Sequence, residues 1–408
     1  MLAKLTPLAD VVYLVRDSGI QFMDFGVALD PEKMGSGRFV RMGNKGLSRL
    51  LFNREDKNYF HLGALGDSNS PAQDDDHQVT VIDDGDEALT LRMLRSLDLL
   101  NGVWLPMPYF HFKGQRNYYP GPTNWARMRL VKLAEPDRDG NTHRLTVAFD
   151  THPLERSTQS MYLAPSPDDI QAKATFRVAC HTNQLGWFLD QQWMRDWLEE
   201  VFRDSNRGRK RDAVDEELEA LHHIGHYLNV LSLLAEPEEA ECAPVGSKAI
   251  IPVPRVHLIS NTQERPIEVD MVLDVGNSRT CGILVENHGL TGDGLKFNYV
   301  LQMRDLHDPE RVYVEPFASR VEFAQMTFGK ENYSKFSGRH DAFQWPTIAR
   351  VGTEASRLCA RRRGSEGSTG LSSPKRYLWD NNAYTHGWRF SSAFGRADGT
   401  EAMATAAP

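Results

Sequence analysis

Asp274, Gly276, Asn277, Ser278 and Arg279 stand together between two apolar runs, Val269 to Val275 and Thr280 to Val285. Glycine tolerates positive φ and lets a polyphosphate approach the backbone, whose successive amides can form an anion-binding nest. Asn277 and Ser278 add side-chain donors, Arg279 adds a fixed positive charge, and Asp274, at a strand end, suits a hydrated magnesium ion. A plain β-hairpin would need none of these identities, because an Asn-Gly or Asp-Gly turn suffices. The types and spacing point to phosphate or nucleotide binding, with a purely structural hairpin as the alternative.

The elements that must position these residues read as strand, turn and strand over 269–286. Upstream, from Asp10 to His152, short runs rich in branched and aromatic residues alternate with Gly, Asp, Asn and Pro clusters, which predicts a strand series. Val11 to Val15 and Ile20 to Phe25 flank Asp17-Ser18-Gly19, a hairpin turn by composition. Further strands are expected at 103–112, 127–133, 145–149 and 172–180, with one helix around 87–99. Apolar residues at helical spacing predict two helices, 187–204 and 215–234, each packed by one face. Ala235 to Ser247, rich in Glu, Ala and Pro, reads as an exposed linker. The expected organisation is a β-rich N-terminal domain with C-terminal helices (1–235), a linker (236–247), a nucleotide-binding domain (248–395) and a disordered tail (396–408). The fold class is mixed, α+β with α/β character.

Composition narrows the function. With 408 residues, 40% hydrophobic and 25% charged, the chain is an ordinary globular protein of more than one domain. A net charge of −8 argues against a dedicated nucleic-acid binder, and the basic runs 207–211 and 361–363 read as solvated loops. Four widely spaced cysteines form no Cys-x-x-Cys pair, so reduced thiols in a cytoplasmic setting are expected. No run approaches the roughly 18 apolar residues of a membrane span.

Other chemistries fit less well. The acidic segment 67–86 lacks the fixed spacing of a calcium loop and reads as a solvated loop. His222 and His226 have the i,i+4 spacing of zinc ligands, but His223 stands where a zincin places glutamate, so a partly exposed helix face is the simpler expectation. Gly329-Lys330 is followed by Glu331, not by the Ser or Thr of a P-loop, and no Gly-x-Ser-x-Gly elbow occurs. The triplets Asp17-Ser18-Gly19 and Asp24-Phe25-Gly26 are followed by Ile20 and Val27, not by the small residue a second phosphate loop wants.

The 274–280 segment resembles the first phosphate motif of the actin, sugar kinase and Hsp70 superfamily, and its Gly-Asn-Ser-Arg variant is similar to that of type III pantothenate kinases. Trp345 to Ala355 resembles the Pro-Ser strand and Gly-x-x-Ala segment that follow in Hsp70, and Ser373-Pro374-Lys375-Arg376-Tyr377-Leu378 resembles its Lys-Arg-Leu segment. With Asp17 to Phe22, Ser319 to Phe323 and Leu371 to Asp380, the chain resembles, over most of its length to about Trp388, the N-terminal part of the SrfB family of bacterial virulence factors.

The resemblance implies a partial actin/Hsp70-like, ribonuclease H-like domain that takes ATP and magnesium. Asp274 would meet magnesium through water, Gly276, Asn277, Ser278 and Arg279 the phosphates, and Lys375 the γ-phosphate, with Asp274 and Lys375 as the catalytic pair. No Asp-x-Gly follows Glu286, so the ATP site is expected to be its first half only, catalytically incomplete, and the Ala- and Gly-rich tail reads as a truncated or shifted frame. The alternatives are a non-enzymatic protein-interaction module, whose unknown partner is sought among products of the same gene cluster, and a pantothenate-type small-molecule kinase.

Overall fold

The computed structural model describes residues 11–30, 32–42, 46–53, 57–62, 79–82, 88–113, 117–118, 124–155, 164–179, 182–235, 251–260, 268–286, 297–314, 316–324, 328, 331–337, 342–345, 347–362 and 369–379. The chain divides into two compact units, residues 1–260 with 329–343, and residues 261–328 with 344–408. Both mix strands and helices. The expected boundary at 248 does not coincide with this division, because Arg255–Ile259 pairs in parallel with Val11–Val15 inside the first unit. The expected linker and tail lie outside the described residues, as do Cys180 and Cys242.

In the first unit, Val11–Val15, Arg255–Ile259, Thr175–Val178, Tyr109–Lys113 and Asn117–Tyr118 form one sheet. Ile20–Val27, His143–Asp150, Ala126–Lys132 and Trp104–Pro106 form a second, antiparallel one. Asp17-Ser18-Gly19 is therefore a corner between two sheets rather than the expected hairpin turn. Its flanking strands pair elsewhere, and Asp17 (φ 58°) and Gly19 (φ 87°) turn the chain through left-handed backbone. The corner is pinned by the Asp17 N–H donating to Thr151 O at 3.0 Å and the Thr151 N–H to Gly19 O at 3.2 Å.

Aromatic side chains join the two sheets. Tyr109 of the first meets Phe149 of the second edge-on at 5.0 Å, and Trp125 lies 5.2 Å from Phe149 and 5.1 Å from Phe176. All four are essentially inaccessible, so their large apolar faces supply a substantial share of the driving force. The strand His143–Asp150 is buried along its whole length, and its polar residues are accordingly paired. Arg144 meets Asp24 at 3.1 Å, Thr146 donates to Asp24 at 2.8 Å, and Asp150 accepts the Phe343 N–H at 3.2 Å. Asp24 of the second upstream Asp-x-Gly triplet is thus committed to the sheet.

Each predicted helix is in fact two. Thr182–Leu189 and Gln192–Ser205 are separated at Asp190 and Gln191, and Arg211–Glu219 and His222–Leu231 at Leu221, whose φ of 62° ends the right-handed run. The helix around 87–99 is Met93–Leu99, preceded by the strand Leu89–Arg92. His222–Leu231 does not expose a face as expected, since every residue from His223 to Leu231 is buried among Met93–Leu99, Gln192–Ser205, Arg211–Glu219 and strands 36–42, 46–49 and 89–92. The basic run at 207–211 is paired along the surface: Arg207 with Asp204, Arg209 with Glu217 and Arg211 with Asp215.

The second unit contains the hairpin. Val269–Val275 pairs antiparallel with Arg279–Glu286, which also pairs with Asn298–Val300 and Phe317–Ala318. A separate sheet has Arg320–Phe323 between Ala349–Val351 and Gly370–Ser372, and the helix Gly352–Arg361 packs on it. Among the described residues no helix is long and apolar enough to cross a membrane.

Candidate functional site

The register of the hairpin sets Val275 opposite Thr280 and Asp274 opposite Cys281. Gly276, Asn277, Ser278 and Arg279 make the turn, closed by the Gly276 N–H donating to Arg279 O at 2.9 Å. None of the four has positive φ, so the expected reason for Gly276 is corrected. A Cβ at Gly276 would stand 2.5 Å from the Arg279 carbonyl oxygen, and close approach across the turn is what demands glycine. With no left-handed residue in the turn, any anion nest here is of the turn kind rather than one alternating right- and left-handed residues. What the turn offers is the N–H groups of Asn277 and Ser278, which make no hydrogen bond among the described residues, and the exposed side chains of Asn277, Ser278 and Arg279. Asp274 is exposed as well, and its carboxylate has no hydrogen bond or ion pair among the described residues.

Ser319, only 7% exposed, holds the turn in place. Its Oγ donates to Gly276 O at 2.8 Å and lies 2.8 Å from the Thr280 hydroxyl, and its N–H donates to Ser278 O at 3.0 Å. Its carbonyl accepts the Ser373 N–H at 2.9 Å. Ser373 (φ 54°) immediately precedes the 3-10 helix Pro374–Trp379 that carries the half-buried Lys375. The structure thus ties the backbone of the 276–279 turn and the backbone leading into Lys375 to one residue. The sequence reading used Ser319 only as part of a resemblance. Its position just beyond the strand Phe317–Ala318, which pairs with Arg279 and Thr280, is visible only once that pairing is known.

The Trp345 to Ala355 block forms the strand Ala349–Val351 followed by the helix Gly352–Arg361. Gly352 sits at φ 67°, where a Cβ would meet Met303 Cε at 2.5 Å, and Ala355 is fully buried. Pro346 lies outside the described residues.

A second cluster in this unit had no sequence signature. Asp305, His307 and Glu354 bring ligand-type atoms within 4.8 Å of one another. Both oxygens of Asp305 and one oxygen of Glu354 already accept hydrogen bonds, however. Asp305 accepts from the His307 and Asp308 N–H groups at 3.0 and 2.9 Å, from the Tyr313 hydroxyl at 2.9 Å and from Arg357 Nε at 2.8 Å. Glu354 accepts the Leu306 N–H at 3.1 Å and faces His307 Nδ1 at 2.7 Å. A guanidinium on Asp305 occupies the place a cation would take, so the cluster works as a clasp between the 305–311 loop and the helix Gly352–Arg361. A residue spacing of this kind, with Glu354 far from Asp305 in sequence, carries no recognisable period.

In the first unit, of the two histidines with zinc-like spacing, His222 is half-buried and His226 is packed as core. His226 Nδ1 lies 2.8 Å from the Ser96 hydroxyl and its ring stacks on Phe202 at 6.1 Å. Asn229 donates to the same Ser96 oxygen at 3.0 Å. Burial pulls the pKa of both His223 and His226 down to about 4.

Comparison with curated proteins and with solved structures finds no match. The sequence profile of the family described as Virulence factor SrfB matches residues 1–408. A match along the whole chain shows that the chain belongs to the SrfB virulence factor family.

Proposed function

We propose that the second unit carries the first half of an actin/Hsp70-like ATP site and binds Mg-ATP without appreciable turnover by this chain alone. One observation carries the reading. Ser319 joins the 276–279 turn to the segment entering Lys375, and a phosphate chain needs donors from both segments to converge.

The residues fit the ligand. Asp274 is an exposed carboxylate with no partner among the described residues, so it takes a hydrated cation without breaking an existing contact. Asn277, Ser278 and Arg279 offer donors that are equally uncommitted, and two free backbone N–H groups lie between them. Arg279 and Lys375 set fixed positive charge where phosphate oxygens would gather. Bound magnesium would supply further charge neutralisation. Turnover demands charge stabilisation on both sides of the transferred phosphoryl group, and one loop of donors serves one side.

The test is thermal unfolding of the purified protein with and without Mg-ATP. A ligand at a hundred times its Kd stabilises the native state by about 2.7 kcal/mol, which is an easily read rise in Tm. Asp274→Ala and Arg279→Ala, both at exposed positions, should leave the ligand-free Tm in place and shrink the rise. No rise with Mg-ATP, or an equal rise in both variants, overturns the reading.

A further inference from the structure

Val269–Val275 is an edge strand with exposed apolar side chains on one face and carboxylates on the other. Val269, Met271, Val272 and Leu273 are 45–60% exposed, whereas an exposed edge in a finished sheet is ordinarily short, bulged or charged along its length. Its hydrogen-bonding pattern follows from the turn. The Gly276–Arg279 closure makes Asp274, Val272 and Asp270 the residues bonded to the neighbouring strand, by antiparallel alternation. Bonds from Leu301 N–H to Gly282 O and from Glu286 N–H to Phe297 O, on the far side of that neighbour, agree with this alternation. The N–H and C=O groups of Val269, Met271, Leu273 and Val275 therefore point outward, with no strand beside them among the described residues.

The two faces differ. Val269, Met271 and Leu273 share one largely apolar face with Leu284 and Tyr299, with Glu286 opposite Val269 at its end. The other face carries Glu268, Asp270, Val272 and Asp274, and none of these three carboxylates has a partner among the described residues. We propose that this edge docks an extended segment of a partner protein in which apolar residues alternate with Lys or Arg. Backbone hydrogen bonds to the outward groups give the segment its affinity, and alternate side chains give its register. The apolar residues of the segment extend the Met271 face, and its basic residues lie over Glu268 and Asp270.

Charge weighs against a fully overlapped pairing with a second copy of the same strand. A fully overlapped antiparallel pair centred on Val272 would set Asp270 of each chain against Asp274 of the other. Like charges directly opposite destabilise a pair. A basic and apolar segment meets the same carboxylates with opposite charge.

The experiment uses the full chain, a fluorescent peptide alternating valine and lysine, and its valine–glutamate counterpart, read by anisotropy. The lysine peptide should bind, with the glutamate peptide at least tenfold weaker. Asp270→Lys should weaken the lysine peptide at least tenfold. Met271→Pro should abolish binding with Tm nearly unchanged, because the Met271 N–H points outward and proline is tolerated on an edge. Equal binding of the two peptides, no binding of either, or binding unaffected by Met271→Pro overturns the proposal. So does a concentration-dependent dimer that Met271→Pro dissolves, which would assign the edge to a second copy. Slow amide exchange at Met271 and Leu273 in the free protein would show the edge already covered by this chain, and also overturns it.

Discussion

Acid should unfold the first unit through two buried histidines. His223 and His226 are 6% and 4% exposed, and desolvation, reinforced by the neighbouring His222, lowers each pKa from 6.5 to about 4. Neutral imidazole is thus favoured in the folded state, and between about pH 4 and 6.5 the unfolded chain binds more protons than the native one. Stability is complete above the unfolded pKa and falls as pH drops through that window. At pH 4.5 each histidine costs on the order of 2.5 kcal/mol, the free energy of protonating an unfolded imidazole of pKa 6.5 while the native one resists to about 4. Both together approach the lower end of the total stability of a domain, about 5 kcal/mol. Urea unfolding at pH 7.5, 6.0, 5.0 and 4.5, followed by tryptophan emission, reads this directly, because buried Trp193 and Trp197 lie on a helix packed against the histidine helix. His223→Leu removes a buried Nδ1 that has no hydrogen-bond partner, so it should be near neutral at pH 7.5 and take away about half of the acid slope. An unchanged slope in His223→Leu, or no loss of stability between pH 6.5 and 4.5, would refute the reasoning.

Three further outcomes follow from the second unit. Gly352→Ala should cost about 1–3 kcal/mol in urea unfolding, because it strains a left-handed backbone and drives a methyl toward Met303. Glu354→Gln should cost about 2–4 kcal/mol by the same measurement, since it leaves buried donors of the 305–307 loop without their anionic acceptor; added zinc should not raise the Tm of the unaltered protein. Ser319→Ala removes one hydroxyl that holds the Gly276 carbonyl and meets Thr280, for about 1–2 kcal/mol, and should weaken Mg-ATP binding more than that loss of stability alone would, read by titration well below the Tm.

The sequence made the hairpin legible almost residue by residue, because alternation and a polar turn lie within one short window. It also conveyed the strand series and the existence of the helical region. What it missed depended on partners distant in the chain. Asp17-Ser18-Gly19 has the composition of a hairpin turn, yet its flanking strands find better partners in Arg255–Ile259 and His143–Asp150, so the turn became a corner. The helix breaks at Gln191 and Leu221 involve neither glycine nor proline and left no local mark. His222 to Leu231 reads as one-sided by its periodicity, but tertiary packing covers every side of it from His223 onward. At Gly276 a neighbouring carbonyl rather than a dihedral angle excludes other residues, a close approach across the turn that no spacing in the sequence reveals. Ser319 and the Asp305–Glu354 clasp are convergences across long sequence separations, which spacing does not encode.

Calorimetric titration of Mg-ATP into the purified protein, beside Asp274→Ala and Lys375→Ala, tests the central claim most directly. The account predicts saturable binding at one site, at least tenfold weaker in each variant, with no phosphate released over the course of the titration. Absence of binding at millimolar Mg-ATP, or binding indifferent to both substitutions, would contradict it.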